Sequence, residues 1–184
     1  MKKVVLFAFM AMCVSFSVFS QEAEQLSLSK VIQAKDAKKD VIYAAIMDWL
    51  GTNFQGLTND SQLSDKDAGM IIKQAGFYYD KGGVMYSCYK GFVYYKMKFQ
   101  IRDERFKVEL TAFVHEINKG NSPNCELGII TTAEEYKKGG LQKGYNNNVW
   151  KDIKEKAEGI ANGLFYEIGK LKFDSFAIDK NDDW

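Results

Sequence analysis

Hydrophobic and polar positions change their period several times along the chain, and each change predicts an element. Residues 26–32 alternate around Leu26, Leu28 and Ile32, which predicts a first strand. From residue 37 the period lengthens. Ile42, Ala45, Ile46, Trp49, Leu50 and Phe54 recur at helical spacing, and Asp36 stands where an N-cap belongs. Gly51 weakens the last turn of that helix, and the polar, turn-rich residues 56–67 predict a loop. Met70-Ile71-Ile72 and Phe77-Tyr78-Tyr79 favour strand, Lys81-Gly82-Gly83 a turn, and residues 84–101 a further strand. Residues 106–117 alternate most cleanly. Phe106, Val108, Leu110, Ala112 and Val114 fall on one side, with Lys107, Glu109, Thr111, Phe113 and His115 on the other.

The last two strands predict a hairpin turning at Asp103-Glu104. That register sets Ile101 against Phe106, Phe99 against Val108, Met97 against Leu110 and Val93 against Val114, all on one apolar face. Lys98 lies opposite Glu109 on the other face, a favourable cross-strand pair. A slip of one residue would mix the two faces, so the pattern specifies the pairing. Residues 118–148 then carry Gly120, Pro123, Gly128, Gly139-Gly140 and Asn146-Asn147-Asn148 and read as a long loop with a short strand near residues 127–131. Asn148 is the expected cap of a final helix. Its stripe is Val149, Ile153, Ala157, Ile160, Leu164, Ile168 and Leu171, and Phe173, Phe176 and Ile178 are expected to fold back on the domain.

The N-terminus changes the picture. Lys2 and Lys3 precede an uncharged apolar run, and Val18 and Ser20 offer the small residues of a cleavage site before Gln21. This predicts a signal peptide over residues 1–20, a loose leader over 21–25, one domain over 26–178 and a polar tail over 179–184. Export to the periplasm or beyond follows as the expected location. Lipidation at Cys13 fits less well, because Met12 stands where a small residue is needed. Removing the leader takes away Lys2 and Lys3, leaving 23 basic residues against 24 acidic ones. That balance argues against a general nucleic-acid binder. No segment after the leader is long and apolar enough to span a membrane. Cys88 and Cys125 remain, outside any CxxC spacing. An exported protein permits their pairing, but spacing leaves open whether they form a disulfide or stay reduced.

The order strand, helix, several antiparallel strands, helix predicts an α+β domain, with both helices on one face of an antiparallel sheet and the other face open. Leu28-Ser29-Lys30-Val31-Ile32, Ile42-Tyr43, Asp48-Trp49-Leu50 with Phe54, and the hairpin over residues 94–114 resemble a family of exported Bacteroidetes proteins of unknown function. The similarity covers residues 26–117. It implies a TATA-binding-protein-like fold, a curved antiparallel sheet backed by helices, with no established activity and no catalytic residues to carry over.

Candidate chemistry is sparse. Lys90-Gly91-Phe92 and Tyr94 match part of an RNA-recognition strand, but Val93, Tyr95 and Met97 depart from it, and nucleic acid is not the expected partner. The same stretch predicts a surface: Phe92, Tyr94, Lys96 and Lys98 on the side opposite the apolar set, joined by Lys107, Phe113 and His115. Exposed aromatics beside lysines suit an envelope protein partner, a glycan or an anionic headgroup. His115 is the one histidine, no Gly-x-Ser-x-Gly elbow accompanies it, and neither metal-ligand nor phosphate-loop spacing occurs. The expectation is a non-enzymatic binding module without cofactor or metal. The alternative is a small periplasmic hydrolase drawing on scattered carboxylates.

Overall fold

The computed structural model describes residues 23–54, 62–137 and 140–173. The leader over 1–20, Phe176, Ile178 and the tail over 179–184 lie outside those residues. Among the described residues ten elements follow one another. Strand β1 (Leu28–Gln33) leads to helix α1 (Lys39–Asn53), then β2 (Gln62–Asp65) and β3 (Met70–Tyr79). A 3₁₀ turn (Val84–Tyr89) precedes β4 (Gly91–Arg102) and β5 (Arg105–Ile117). A second 3₁₀ turn (Pro123–Cys125), β6 (Gly128–Ile129) and helix α2 (Lys143–Ile168) complete the order.

The six strands make one antiparallel sheet in the order β1-β5-β4-β3-β2, and β6 pairs with β5 beyond the end of β1. The inner face carries Ile71 and Tyr79 of β3, Val93, Met97 and Phe99 of β4, and Phe106, Val108 and Leu110 of β5, all fully buried. Helix α1 buries Ile42, Ala45, Ile46 and Leu50; α2 buries Val149, Trp150, Ile153, Ala157, Ala161 and Ile168. Helix α1 touches β4 and α2 touches β1. Trp49 of α1, Phe54 just past its end, and Ile160 and Leu164 of α2 wall one groove floored by Phe77 and Tyr95. Both helices therefore cover the same face. The domain is a two-layer α+β fold, because one sheet face and two helix stripes bury each other's apolar surface.

Several boundaries differ from the pattern. The strand expected from residue 84 begins at Gly91, since residues 84–89 coil into a 3₁₀ turn. Residues 62–65, expected in a loop, form edge strand β2 against Met70–Lys73. Helix α1 begins at Lys39 rather than Ala37. Asp36 takes a left-handed φ of 62° and caps nothing. The Lys39 N–H instead donates to Asp103 Oδ1 at 2.8 Å, from the β4–β5 turn. Glu104 of that turn donates its N–H to the Ala37 carbonyl and accepts from the Ala34 N–H, both at 2.8 Å. These three bonds hold a two-residue Asp-Glu turn in place although Glu104 sits at φ 63°, where glycine would be favoured.

Helix α2 starts five residues before Asn148. Asn146 and Asn147 lie inside it and turn their side chains to the first 3₁₀ turn and to the preceding loop, respectively. Asn146 Oδ1 accepts from the Tyr89 hydroxyl at 2.6 Å, and Asn147 Oδ1 from the Tyr136 N–H at 2.9 Å. A run that favours loops is helical here because its amides satisfy neighbouring segments rather than their own backbone.

Candidate functional site

The open face is set by the β4–β5 hairpin. From Arg102↔Arg105 to Lys96↔Thr111 the pairing is the expected one, including Ile101↔Phe106, Phe99↔Val108 and Met97↔Leu110. The register then shifts by one between Tyr94 and Lys96, so that Val93 pairs with His115 and not with Val114. Ala112, at φ 53°, is the extra residue of a β-bulge. Beyond it, the residues of β5 swap faces.

This overturns two of the seven predicted surface positions. Phe113 and His115 lie fully buried on the inner face, and Val114 moves to the outer one. Phe113 stacks on Tyr95, ring centres 5.2 Å apart. His115 Nε2–H donates to the Tyr89 carbonyl at 2.9 Å, while Nδ1 accepts from the Leu127 N–H at 3.3 Å. A carbonyl accepts and an amide donates, so this pattern needs a neutral ring with its proton on Nε2. Burial depresses the imidazole pKa below its ordinary value of 6.5, in agreement. The histidine thus ties the two segments that Cys88 and Cys125 also join, for these cysteines form a disulfide with Cα atoms 5.8 Å apart.

The other five positions, Phe92, Tyr94, Lys96, Lys98 and Lys107, share the outer face of β4 and β5. Phe92 is 41% exposed and Tyr78 of β3, which pairs with it, 49%. Their rings meet edge-on at 5.3 Å, and Phe92 stacks on Tyr94 at 5.7 Å. Half-buried Val114 and exposed Ile129 extend this apolar end through the β5–β6 pairing. Tyr78 was missed because three aromatics in a row hide which of them faces outward.

The opposite end is cationic. Lys96, Lys98 and Arg102 of β4 and Arg105 and Lys107 of β5 share it with one carboxylate from those two strands, Glu109. The expected Lys98–Glu109 pair has the right register but makes no ion pair. Glu109 Oε1 binds Lys107 Nζ at 3.2 Å and the Ser27 hydroxyl at 3.2 Å instead. Among the described residues Lys96, Lys98, Arg102 and Arg105 have no ion-pair partner. Val31 of β1, Gln100, Arg102, Arg105 and Lys107 line a depression of about 230 Å³ there. Between Phe92 and Arg102 the strand spans roughly 33 Å at about 3.3 Å per residue.

Gly91 explains the Lys-Gly-Phe resemblance to an RNA-binding strand. A Cβ at Gly91 would sit 1.9 Å from the Glu116 carbonyl oxygen and 2.7 Å from Ile117 Cα. The glycine is needed where β4 enters the sheet against β5, whatever the face binds.

Three of the carboxylates are engaged with cations. Asp80 binds Lys90 at 2.8 Å and Glu135 binds Lys143 at 3.0 Å, which hold both carboxyls below their ordinary range. Asp152 lies 3.6 Å from Lys81 and 3.8 Å from Lys156. A carboxylic general acid needs the opposite shift. Among the described residues no group of three His, Cys, Asp or Glu side chains is placed to hold a metal ion, and no helix is long and apolar enough to cross a membrane.

An antiparallel sheet backed on one side by two helices defines an α+β protein of the TATA-binding-protein-like class. Residues 29–116 match the family model described as a domain of unknown function (DUF4468) with TBP-like fold. A TBP-like protein of Parabacteroides distasonis is similar in structure, with a TM-score of 0.52 at 14% identity over 80% of this chain and 95% of that one. A DUF4468 family protein of Bacteroides ovatus gives a TM-score of 0.52 at 13% identity, over 82% and 89%. At such identities the likeness concerns the fold. No curated protein matches the chain.

Proposed function

We propose that this is an exported envelope protein whose domain binds a partner through the open sheet face, without catalysis. The leader pattern of residues 1–20 supports export. One observation carries the binding role: the outer face bears Tyr78, Phe92 and Tyr94 in contact at one end and four cations without ion-pair partners at the other. A face with no binding role would be expected to spread its aromatics and match its charges. The ligand that suits it is elongated, anionic over part of its length, and apolar or ring-bearing over the rest.

The test uses immobilised mature protein, residues 21–184, offered acidic polysaccharides, neutral polysaccharides, envelope protein extract and single-stranded DNA. Lys96→Glu with Lys98→Glu should reduce retention of the anionic ligand at least tenfold and shift unfolding by no more than about 0.5 kcal/mol. Retention that is unchanged by the charge reversals would remove the face from the function. Preferential retention of DNA would replace the envelope reading.

A further inference from the structure

The sheet ends at β1, and that edge bears on what the face binds. The Ala34 N–H donates to the Glu104 carbonyl in line with the β1–β5 register, so 34/104 is a hydrogen-bonded pair. Hydrogen-bonded pairs alternate in an antiparallel ladder. Ile32, Lys30 and Leu28 therefore direct their backbone groups to β5, and Ser29, Val31 and Gln33 direct theirs away from the sheet. Among the described residues nothing pairs with that outward row. The side chains of Ser29, Val31 and Gln33 lie on the open face, and Val31 is 54% exposed. Natural sheets rarely leave such an edge uncovered, because it templates another strand.

We propose that an extended acidic polypeptide adds to the outer edge of β1, its backbone pairing with Ser29, Val31 and Gln33. Alternate residues of the added strand face the open side. There an apolar side chain meets Val31 and the depression beside it, and a carboxylate meets Arg105 and Lys107, with Arg102 behind them. This inference rests on the binding role of the open face and narrows its partner to a polypeptide, since a glycan or a nucleic acid cannot complete a β ladder. A second copy of the chain is a poorer occupant. The β1 strand of a second copy, Leu28–Gln33, carries Lys30 and no carboxylate to meet Arg105 and Lys107.

The experiment uses mature full-length protein and a fluorescent probe, the peptide Asp-Val-Asp-Val-Asp-Val-Asp blocked at both ends. Binding is read by anisotropy. Val31→Pro removes only an outward N–H, which an edge strand tolerates, and should weaken binding at least tenfold. The same probe N-methylated at alternate residues should bind at least tenfold more weakly to the unmodified protein, which keeps the test sound should Val31→Pro not fold. Arg105→Glu should weaken the probe further in low salt than in high. Equal binding of the methylated probe, or no effect of a folded Val31→Pro variant, would show charge capture without strand addition and overturn the inference. Absence of probe binding alongside retention of an acidic polysaccharide would overturn it and leave the open-face role standing. A dimer in sedimentation that Val31→Pro dissociates would assign the edge to a second copy and also overturn it.

Discussion

The two halves of β5 follow one alternation in sequence and opposite rules in structure. Near the Asp103-Glu104 turn, even-numbered residues of β5 enter the core and odd-numbered ones meet solvent. Past Ala112 the assignment reverses. The turn half exposes cations, and the bulged half buries an aromatic and the histidine while leaving Phe92 and Tyr94 outside. One extra residue in β5 therefore takes Phe113 and His115 off the face, while β4 keeps a single alternation and presents Phe92, Tyr94, Lys96 and Lys98 throughout. A period-two pattern holds only as long as the ladder has no insertion, since every residue beyond one is reassigned.

Ala112→Pro should break this difference most severely, since a proline φ fixed near −65° cannot adopt the left-handed φ of 53° that the bulge needs. Regular alternation through position 112 would carry Phe113 and His115 to solvent, and loss of the folded state is expected. Phe113→Ala, which keeps the bulge, should cost about 3–5 kcal/mol in urea unfolding. An Ala112→Pro variant that melts near the unaltered protein would exclude the bulge as the determinant. Next in size is the bridge that anchors the bulged half. Cys88→Ser with Cys125→Ser should destabilise by about 2–4 kcal/mol, since the crosslink closes a sequence separation of 37 residues, and reductant should reproduce the loss.

A smaller effect belongs to His115 and is confined to one pH window. Its folded pKa lies below the ordinary 6.5, so the unfolded chain takes up the proton first as pH falls. Its contribution is complete above about pH 6.5 and diminishes below that, until the folded protein protonates as well. Urea midpoints should therefore decline more steeply below pH 6.5 in the unaltered protein than in His115→Gln. Parallel slopes would mean that the imidazole is not held neutral. The smallest change is at the turn half. Asp103→Ala removes the side chain that meets the first amide of α1, a loss of about 1 kcal/mol, whereas Asp36→Ala should be nearly neutral. The reverse ranking would restore Asp36 as the cap.

Legibility in the sequence followed the same division. The turn half could be registered residue by residue because large apolar side chains face each other in phase. In the bulged half Ala112 and Val114 continued the apolar set convincingly, and the warning was Phe113, a full aromatic on the polar side. Of the proposed surface, Phe92, Tyr94, Lys96, Lys98 and Lys107 were readable from strand parity. Tyr78, Arg102, Arg105 and Val31 were not, since they come from neighbouring strands and from the hairpin end that only the pairing brings alongside.

By itself the sequence determined the two-layer architecture, the two helix stripes and the identity of β4 and β5. Those depend on periodicity and burial, which are properties of neighbours along the chain. The tertiary structure decided which asparagines are helical, which aspartate caps α1, where β5 bulges and which cations remain unpaired. Each of these depends on a partner distant in sequence. Asp103 reaches Lys39, Tyr89 reaches Asn146 and His115 spans Tyr89 and Leu127, and no local pattern encodes such a meeting.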